Sequence, residues 1–172
     1  FFNVRAAFSG HFIHNFAAGM RTKVLIIGGG PAGAVCGSLL VKAGVDCLIV
    51  DRATFPRDKI CGGGLSPKAW RLLDRLLPGV GYDYKIVHHV RLMIEGKLRC
   101  EFDSEQEIRI AYRRQLDHAL LTYYKQAGGR FLQGSPSAIS EQSDGSVTVT
   151  LKSGEVIACT YLVGADGANS FV

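Results

Sequence analysis

The stretch KVLIIGGGPAGAVCGSLL, from Lys23 to Leu40, constrains the fold more than any other part of this chain of 172 residues. Lys23–Gly28 is a short apolar run containing β-branched residues and ending in glycine. Such a run reads as a strand buried on both faces of a parallel sheet. Pro31–Ala43 then carries small and apolar residues at helical spacing, and Gly44 ends it. A second buried strand, DCLIVD, runs from Asp46 to Asp51. Strand, helix and strand in this order form a βαβ unit, because parallel neighbours need a crossover to join them.

The glycines inside that unit have a chemical reading. Gly28, Gly30 and Gly33 set out the pattern G-x-G-x-x-G between strand and helix. Gly28 allows a tight turn, Gly30 lets a pyrophosphate approach the backbone, and Gly33 lets the helix pack close to the sheet. The first helical turn, which contains Pro31 and Ala32, offers free N–H groups and a partial positive charge to phosphates. Asp51 ends the second strand, where a carboxylate accepts hydrogen bonds from an adenosine ribose. The context predicts a dinucleotide site. The pattern alone does not choose between FAD and NAD.

Downstream, Arg52–Gly64 reads as a loop with Pro56 and three consecutive glycines. Ser66 and Pro67 have the positions of an N-cap and first helical residue for SPKAWRLLDRLL. Residues 85–94 and 97–103 predict a hairpin turning at Glu95-Gly96, with EIRIAY as a further strand. Strand alternation would point one of His88 and His89 inward and the other outward. Arg113–Gln126 predicts an amphipathic helix, RFLQG a short strand, and residues 146–166 a hairpin at Ser153-Gly154 whose end returns parallel to the first sheet. The expected fold class is α/β: a Rossmann-like, doubly wound parallel sheet with an antiparallel β excursion.

Composition excludes some classes. The charge of +5 comes from scattered Lys and Arg, which reads as a solvated surface or as a basic cleft for a phosphate-bearing cofactor. No nucleic-acid-binding module is visible. Five Cys, at 36, 47, 61, 100 and 159, fit neither a zinc site nor a disulfide framework, so no metal is expected and a reducing, cytoplasmic compartment is. Cys36 and Cys47 lie in apolar stretches and read as small core residues. The Phe-rich segment 1–19 contains no acid and is too short and interrupted to span a membrane. It reads as an extension outside the fold, with an interfacial helix or a targeting remnant as alternatives.

Three stretches besides the glycine motif carry a family resemblance: RATFPRDKICGGGLSPKAW, YRRQLDHALL and YLVGADGANS. Together they resemble the geranylgeranyl reductase family of FAD-dependent oxidoreductases, within the wider group of flavoproteins similar to aromatic hydroxylases. The resemblance spans roughly residues 22–172, and CGGGLS points most narrowly to the reductase branch. It implies FAD as cofactor, with NADPH or another reduced donor. Asp51 stands where the family more often has Glu. Arg52 would lie along the adenosine, and Arg113 near the pyrophosphate or ribityl chain, with Arg114 a lesser candidate. Cys61 and Gly62 would approach the isoalloxazine ring, and Asp166 and Gly167 would close over the flavin and pyrophosphate. Asp117 matches the family's hydrophobic-Asp step, but helix-start electrostatics explains it equally well.

Family members continue past this point, so the chain is expected to be an N-terminal portion. Residues 20–172 would form the FAD-binding part, with the start of a substrate-side β layer at about 84–111. The implied activity is reduction of C=C bonds in isoprenoid chains, with a lipid-like substrate and peripheral membrane contact. A flavin monooxygenase or halogenase of the same group, and a non-catalytic nucleotide-binding fragment, are the alternatives.

Overall fold

The computed structural model describes the backbone of residues 3–6 together with residues 19–168 and 170–172. The chain divides into two units: residues 1–55 with 120–172, and residues 56–119.

The first unit is an α/β layer built on a sheet of order β7-β3-β2-β10-β9-β8. Its strands are β2 (Met20–Ile27), β3 (Cys47–Asp51), β7 (Arg130–Gln133), β8 (Pro136–Glu141), β9 (Val147–Leu151) and β10 (Val156–Gly164). β7, β3, β2 and β10 run parallel, while β8 and β9 pair antiparallel beside them. β1 (Asn3–Ala6) pairs antiparallel with Gly164–Tyr161 of β10. The rest of the Phe-rich segment, read above as an extension or interfacial helix, lies outside the described residues.

The central strands are apolar at nearly every position because both faces are covered. Leu25, Ile27, Leu48 and Val50 pack on one side with Val147, Val149, Leu151, Ile157 and Leu162. Val24, Ile26, Cys47 and Ile49 pack on the other with Leu121, Tyr124 and Val163. Helix α1 (Pro31–Lys42) approaches this second side through small buried residues, Gly33, Ala34, Gly37 and Ser38. Spaced three and four apart, they form one face of the helix. Ser38 returns its hydroxyl to the Ala34 carbonyl at 2.7 Å, so its burial leaves no donor unmatched.

The second unit holds an antiparallel sheet of order β4-β6-β5, from β4 (Gly64–Leu65), β5 (Tyr84–Ile94) and β6 (Lys97–Ala111). EIRIAY is not a separate strand: its first five residues continue β6, which runs unbroken to Ala111. The hairpin turns at Glu95 and Gly96, with φ of 50° and 75°. Positive φ at two successive positions is the twist-matched geometry for a two-residue hairpin. Helix α2 (Pro67–Leu76) is capped by Ser66, whose hydroxyl oxygen accepts from the Ala69 N–H. Its Trp70 donates to the Glu107 carbonyl at 2.9 Å, and the Arg109 guanidinium lies 3.9 Å from the centre of the Trp70 ring. Helix α3 (Arg113–Gln126) begins in this unit.

His88 and His89 are both exposed, against the expectation of one inward and one outward. The β5–β6 pairing shifts register between Val87 and His89, which breaks the alternation there. His89 lies between two acids, with Nδ1 2.8 Å from Asp103 Oδ1 and Nε2 2.7 Å from Glu101 Oε1. Asp103 first, then Glu101, raise its pKa above the ordinary histidine value. Its contribution to stability is therefore complete below the unfolded pKa of about 6.5 and lost as pH rises through the higher folded value. An NMR titration should give a His89 midpoint above 6.5 that falls in Asp103→Asn. A wild-type midpoint at or below about 6.5 contradicts the ion-pair reading.

Among the described residues, no helix is long and apolar enough to cross a membrane, and no group of His, Cys, Asp and Glu is arranged to hold a metal ion.

Candidate functional site

The first group of sequence-predicted site residues gathers at the C-terminal ends of β2, β3 and β10, where open α/β sheets bind ligands. Gly28 leaves β2 with φ of 109°, and its N–H donates to the Val50 carbonyl at 2.7 Å. A Cβ added there would overlap the Ala165 carbonyl oxygen and stand 2.8 Å from the Asp166 N. A Cβ on Gly33 would overlap the carbonyl oxygen of Gly28. Both glycines are thus required by backbone against backbone.

Gly30 is the N-cap of α1 in extended conformation, with no side-chain cap, and Pro31 occupies the first helical position. The first-turn N–H groups of Ala32 and Gly33 have no intrahelical acceptor in this geometry. Gly30 and Pro31 are half-buried and Ala32 is exposed. Asp51 Oδ2 accepts from the Gly29 N–H at 2.7 Å, and Oδ1 accepts from the Ala53 N–H at 2.8 Å. Its carboxylate is thereby fixed against the glycine turn, with lone pairs remaining for a further donor. Gly29, not singled out from sequence, is the residue that makes this link. Arg52 is exposed, and its carbonyl accepts from Gln133 at 3.5 Å.

Asp166 follows the end of β10. Its Oδ1 accepts from the Ser170 hydroxyl at 2.6 Å and its Oδ2 from the Phe171 N–H. Gly167, with φ of 90°, makes the turn between them. The structure therefore brings Gly28, Gly30, Pro31, Ala32, Gly33, Asp51 and Asp166 to one end of the sheet. The turn glycines, the uncapped helix start and the ordered carboxylate stand together there, and free N–H groups beside a fixed carboxylate fit the phosphate and ribose of a dinucleotide.

Cys61, Gly62 and Arg113 belong to the second unit, where they share a cavity of about 230 Å³ with Lys59, Lys85 and Arg114. Cys61 is exposed, and its Sγ accepts from the Gly63 N–H at 3.4 Å. That backbone bond, followed by the Arg113 side chain, lowers the Cys61 pKa. Burial instead pushes Cys47 up to about 11 and Cys159 up to about 12, leaving those thiols protonated and unreactive. Gly62 has open space around its Cβ position. The sterically required glycine of this loop is Gly63, where φ is 69° and a Cβ would overlap the Ala111 carbonyl. Three glycines in a row are visible in sequence, but which one faces a carbonyl is not.

Arg113 is a half-buried cation with a fixed partner. Its Nε donates to Asp117 Oδ1 at 2.7 Å and its Nη2 to Asp117 Oδ2 at 2.9 Å. Asp117 is wholly buried and also pairs with Arg57 Nη2 at 3.1 Å. No local pattern in the sequence marks Arg57. Arg114 reaches Asp58 at 3.2 Å in an exposed pair.

The model of the family described as FAD binding domain matches residues 21–172. Menaquinone reductase of Mycolicibacterium smegmatis is 32% identical over 163 residues, covering 87% of this chain and 38% of that protein. Geranylgeranyl diphosphate reductase of Synechocystis is 28% identical over 166 residues, covering 88% of this chain and 40% of its own length. The crystal structure of halogenase PltM with phloroglucinol and FAD superimposes with a TM-score of 0.70 at 22% identity, over 87% of this chain and 35% of that one. This last likeness speaks to the fold. The chain spans about two fifths of the length of the curated relatives it matches. Matched by the family model over residues 21–172, the chain belongs to the FAD binding domain family, and FAD is its cofactor.

Proposed function

We propose that this chain is the FAD-holding part of a flavin-dependent reductase that acts on C=C bonds of isoprenoid chains, with NADPH or another reduced donor. The observation that carries the FAD site is the start of α1 after the glycine turn, which has no side-chain cap and stands beside the Asp51 carboxylate that the Gly29 N–H holds. Support for the substrate class comes from the CGGG loop beside Arg113 and from two relatives named for reducing menaquinone and geranylgeranyl diphosphate, molecules that contain isoprenoid chains.

In this reading Gly28, Gly30 and Gly33 admit the pyrophosphate to the backbone, and the open N–H groups of Ala32 and Gly33 bind it. Asp51 receives the adenosine ribose, with Arg52 alongside. Asp166 and Gly167 close the site from the end of β10. Arg113 supplies a cation for the pyrophosphate or ribityl chain, and Cys61 and Gly62 meet the ring. Bound FAD supplies the hydride chemistry, while the protein orients it and excludes water. The substrate's lipid character implies peripheral contact with a membrane surface.

The test is a visible spectrum and FAD titration of the purified protein. It is followed by incubation with NADPH and geranylgeranyl diphosphate in liposomes, with product mass and co-sedimentation as readouts. Flavin absorbance bands, a gain of two hydrogens per reduced double bond and co-sedimentation are expected. Failure to bind FAD overturns the site. FAD binding with hydroxylated or halogenated products alone replaces the reductase reading by a monooxygenase or halogenase one.

A further inference from the structure

We propose that Asp117 is a positioning residue of the flavin site: its buried carboxylate locks the Arg57 and Arg113 guanidinium groups together and so fixes the cation that faces the Cys61 cavity. The inference rests on the reading of Arg113 as an FAD contact and adds to it the group that holds Arg113 in place.

The argument begins with burial. Asp117 has no exposed side-chain surface, and a buried carboxylate persists only when paired and hydrogen-bonded. Three short contacts meet that need: Arg113 Nε at 2.7 Å, Arg113 Nη2 at 2.9 Å and Arg57 Nη2 at 3.1 Å. The Arg113 contact is a two-pronged fork, which fixes the guanidinium plane as well as its place. Arg57 comes from the loop after Pro56 and Arg113 from the first turn of α3, so the carboxylate ties loop to helix within the second unit. Arg113 lines the same cavity as Cys61 and is among the groups that lower its pKa. One carboxylate between two guanidiniums leaves a net positive charge on the triad. The other charged residues that line the cavity are Asp58, Lys59, Lys85 and Arg114. Of these Asp58 and Arg114 pair with each other.

A structural ion pair and a positioning residue predict opposite outcomes at Cys61. Asp117 acts on the thiol as a charge, which raises the Cys61 pKa, and through Arg113, which lowers it. If Asp117 mattered only as a charge, Asp117→Asn would lower the Cys61 midpoint. If it positions Arg113, the loosened guanidinium releases the thiol and the midpoint rises.

The experiment measures alkylation of Cys61 by iodoacetamide against pH, and FAD affinity by fluorescence, in wild type, Asp117→Asn and the double variant Asp117→Asn/Arg57→Gln. The double variant removes the carboxylate together with one guanidinium, so the net charge of the triad is unchanged. Alkylation at Cys100 is removed by Cys100→Ser in all forms. The expected result is a rise in the Cys61 midpoint in both variants and FAD affinity weaker by about tenfold or more, as for loss of a charged hydrogen-bonded contact. If only the double variant folds, it alone decides the matter. A midpoint that falls or stays unchanged overturns the proposal. A midpoint that rises in a protein whose wild type binds no FAD keeps Asp117 as the anchor of Arg113 and overturns instead the flavin reading of that arginine.

Discussion

Gly28→Ala is expected to destabilise the protein by about 3 kcal/mol or more and to abolish FAD binding. Two costs combine. The φ of 109° lies where residues other than glycine rarely go, a strain of about 1–3 kcal/mol. The new Cβ would also overlap the Ala165 carbonyl and crowd the Asp166 N, and overpacking of this kind costs about 1–3 kcal/mol. Neither neighbour moves freely. Ala165 donates its N–H to the Ile27 carbonyl at 2.8 Å, and Gly28 donates to Val50 at 2.7 Å, so a shift would strain the ladder between β2, β3 and β10. Gly44 supplies the control. Its φ is 74°, yet nothing lies within 4 Å of its Cβ position, so Gly44→Ala carries the conformational cost, about 1 kcal/mol, without the collision. Urea denaturation of both variants, with FAD titration of each, separates the two costs. If Gly28→Ala unfolds within about 0.5 kcal/mol of Gly44→Ala, the backbone collision is not what reserves this position for glycine.

That glycine turn is the part of the molecule most legible in the sequence, because its chemistry is local. Strand, turn, helix start and Asp51 fall within one βαβ unit, and each residue type has a reason that neighbours in sequence suffice to state. The same holds for the Ser66 cap and the Glu95-Gly96 turn. Elements fixed by distant partners carry no such local signal. The strand Pro136–Glu141 is mostly exposed and polar, SPSAISE in its surroundings, and becomes a strand only because β9 offers it a ladder. The unequal register of β5 and β6 hides the exposure of both histidines from any alternation rule. Asp117 is the sharpest case. It is the fifth residue of α3, past the first turn, so helix-start electrostatics does not account for it, and the local part of its environment is the i,i+4 pair with Arg113. Its burial, and its second partner Arg57 in a loop sixty residues earlier in the chain, are products of tertiary packing. The charge at Arg113 is therefore set by a residue whose i,i+4 pairing is local but whose burial and second partner are not.

Tyr124 gives the second large effect, and it separates packing from hydrogen bonding at one residue. The side chain is fully buried on the α1 side of the sheet. Its ring fills the space left by two glycines: a Cβ at Gly37 would come within 2.8 Å of it, and one at Gly129 would overlap it. Its hydroxyl lies 2.8 Å from both the Cys47 and the Arg130 carbonyl oxygens, the first residues of β3 and β7. Burial pushes the phenol pKa far up, so the group remains a neutral donor across the working pH range. Tyr124→Phe keeps the ring and leaves two carbonyls without this partner, at an expected cost of about 1–3 kcal/mol. Tyr124→Ala removes the ring as well and opens a cavity between α1 and the sheet, at about 3–5 kcal/mol. Denaturation midpoints of the two variants measure the difference directly. A Tyr124→Phe variant as unstable as Tyr124→Ala would place the anchoring in the hydroxyl. The expected gap between them places it in the ring, and makes Gly37 and Gly129 small because Tyr124 is large.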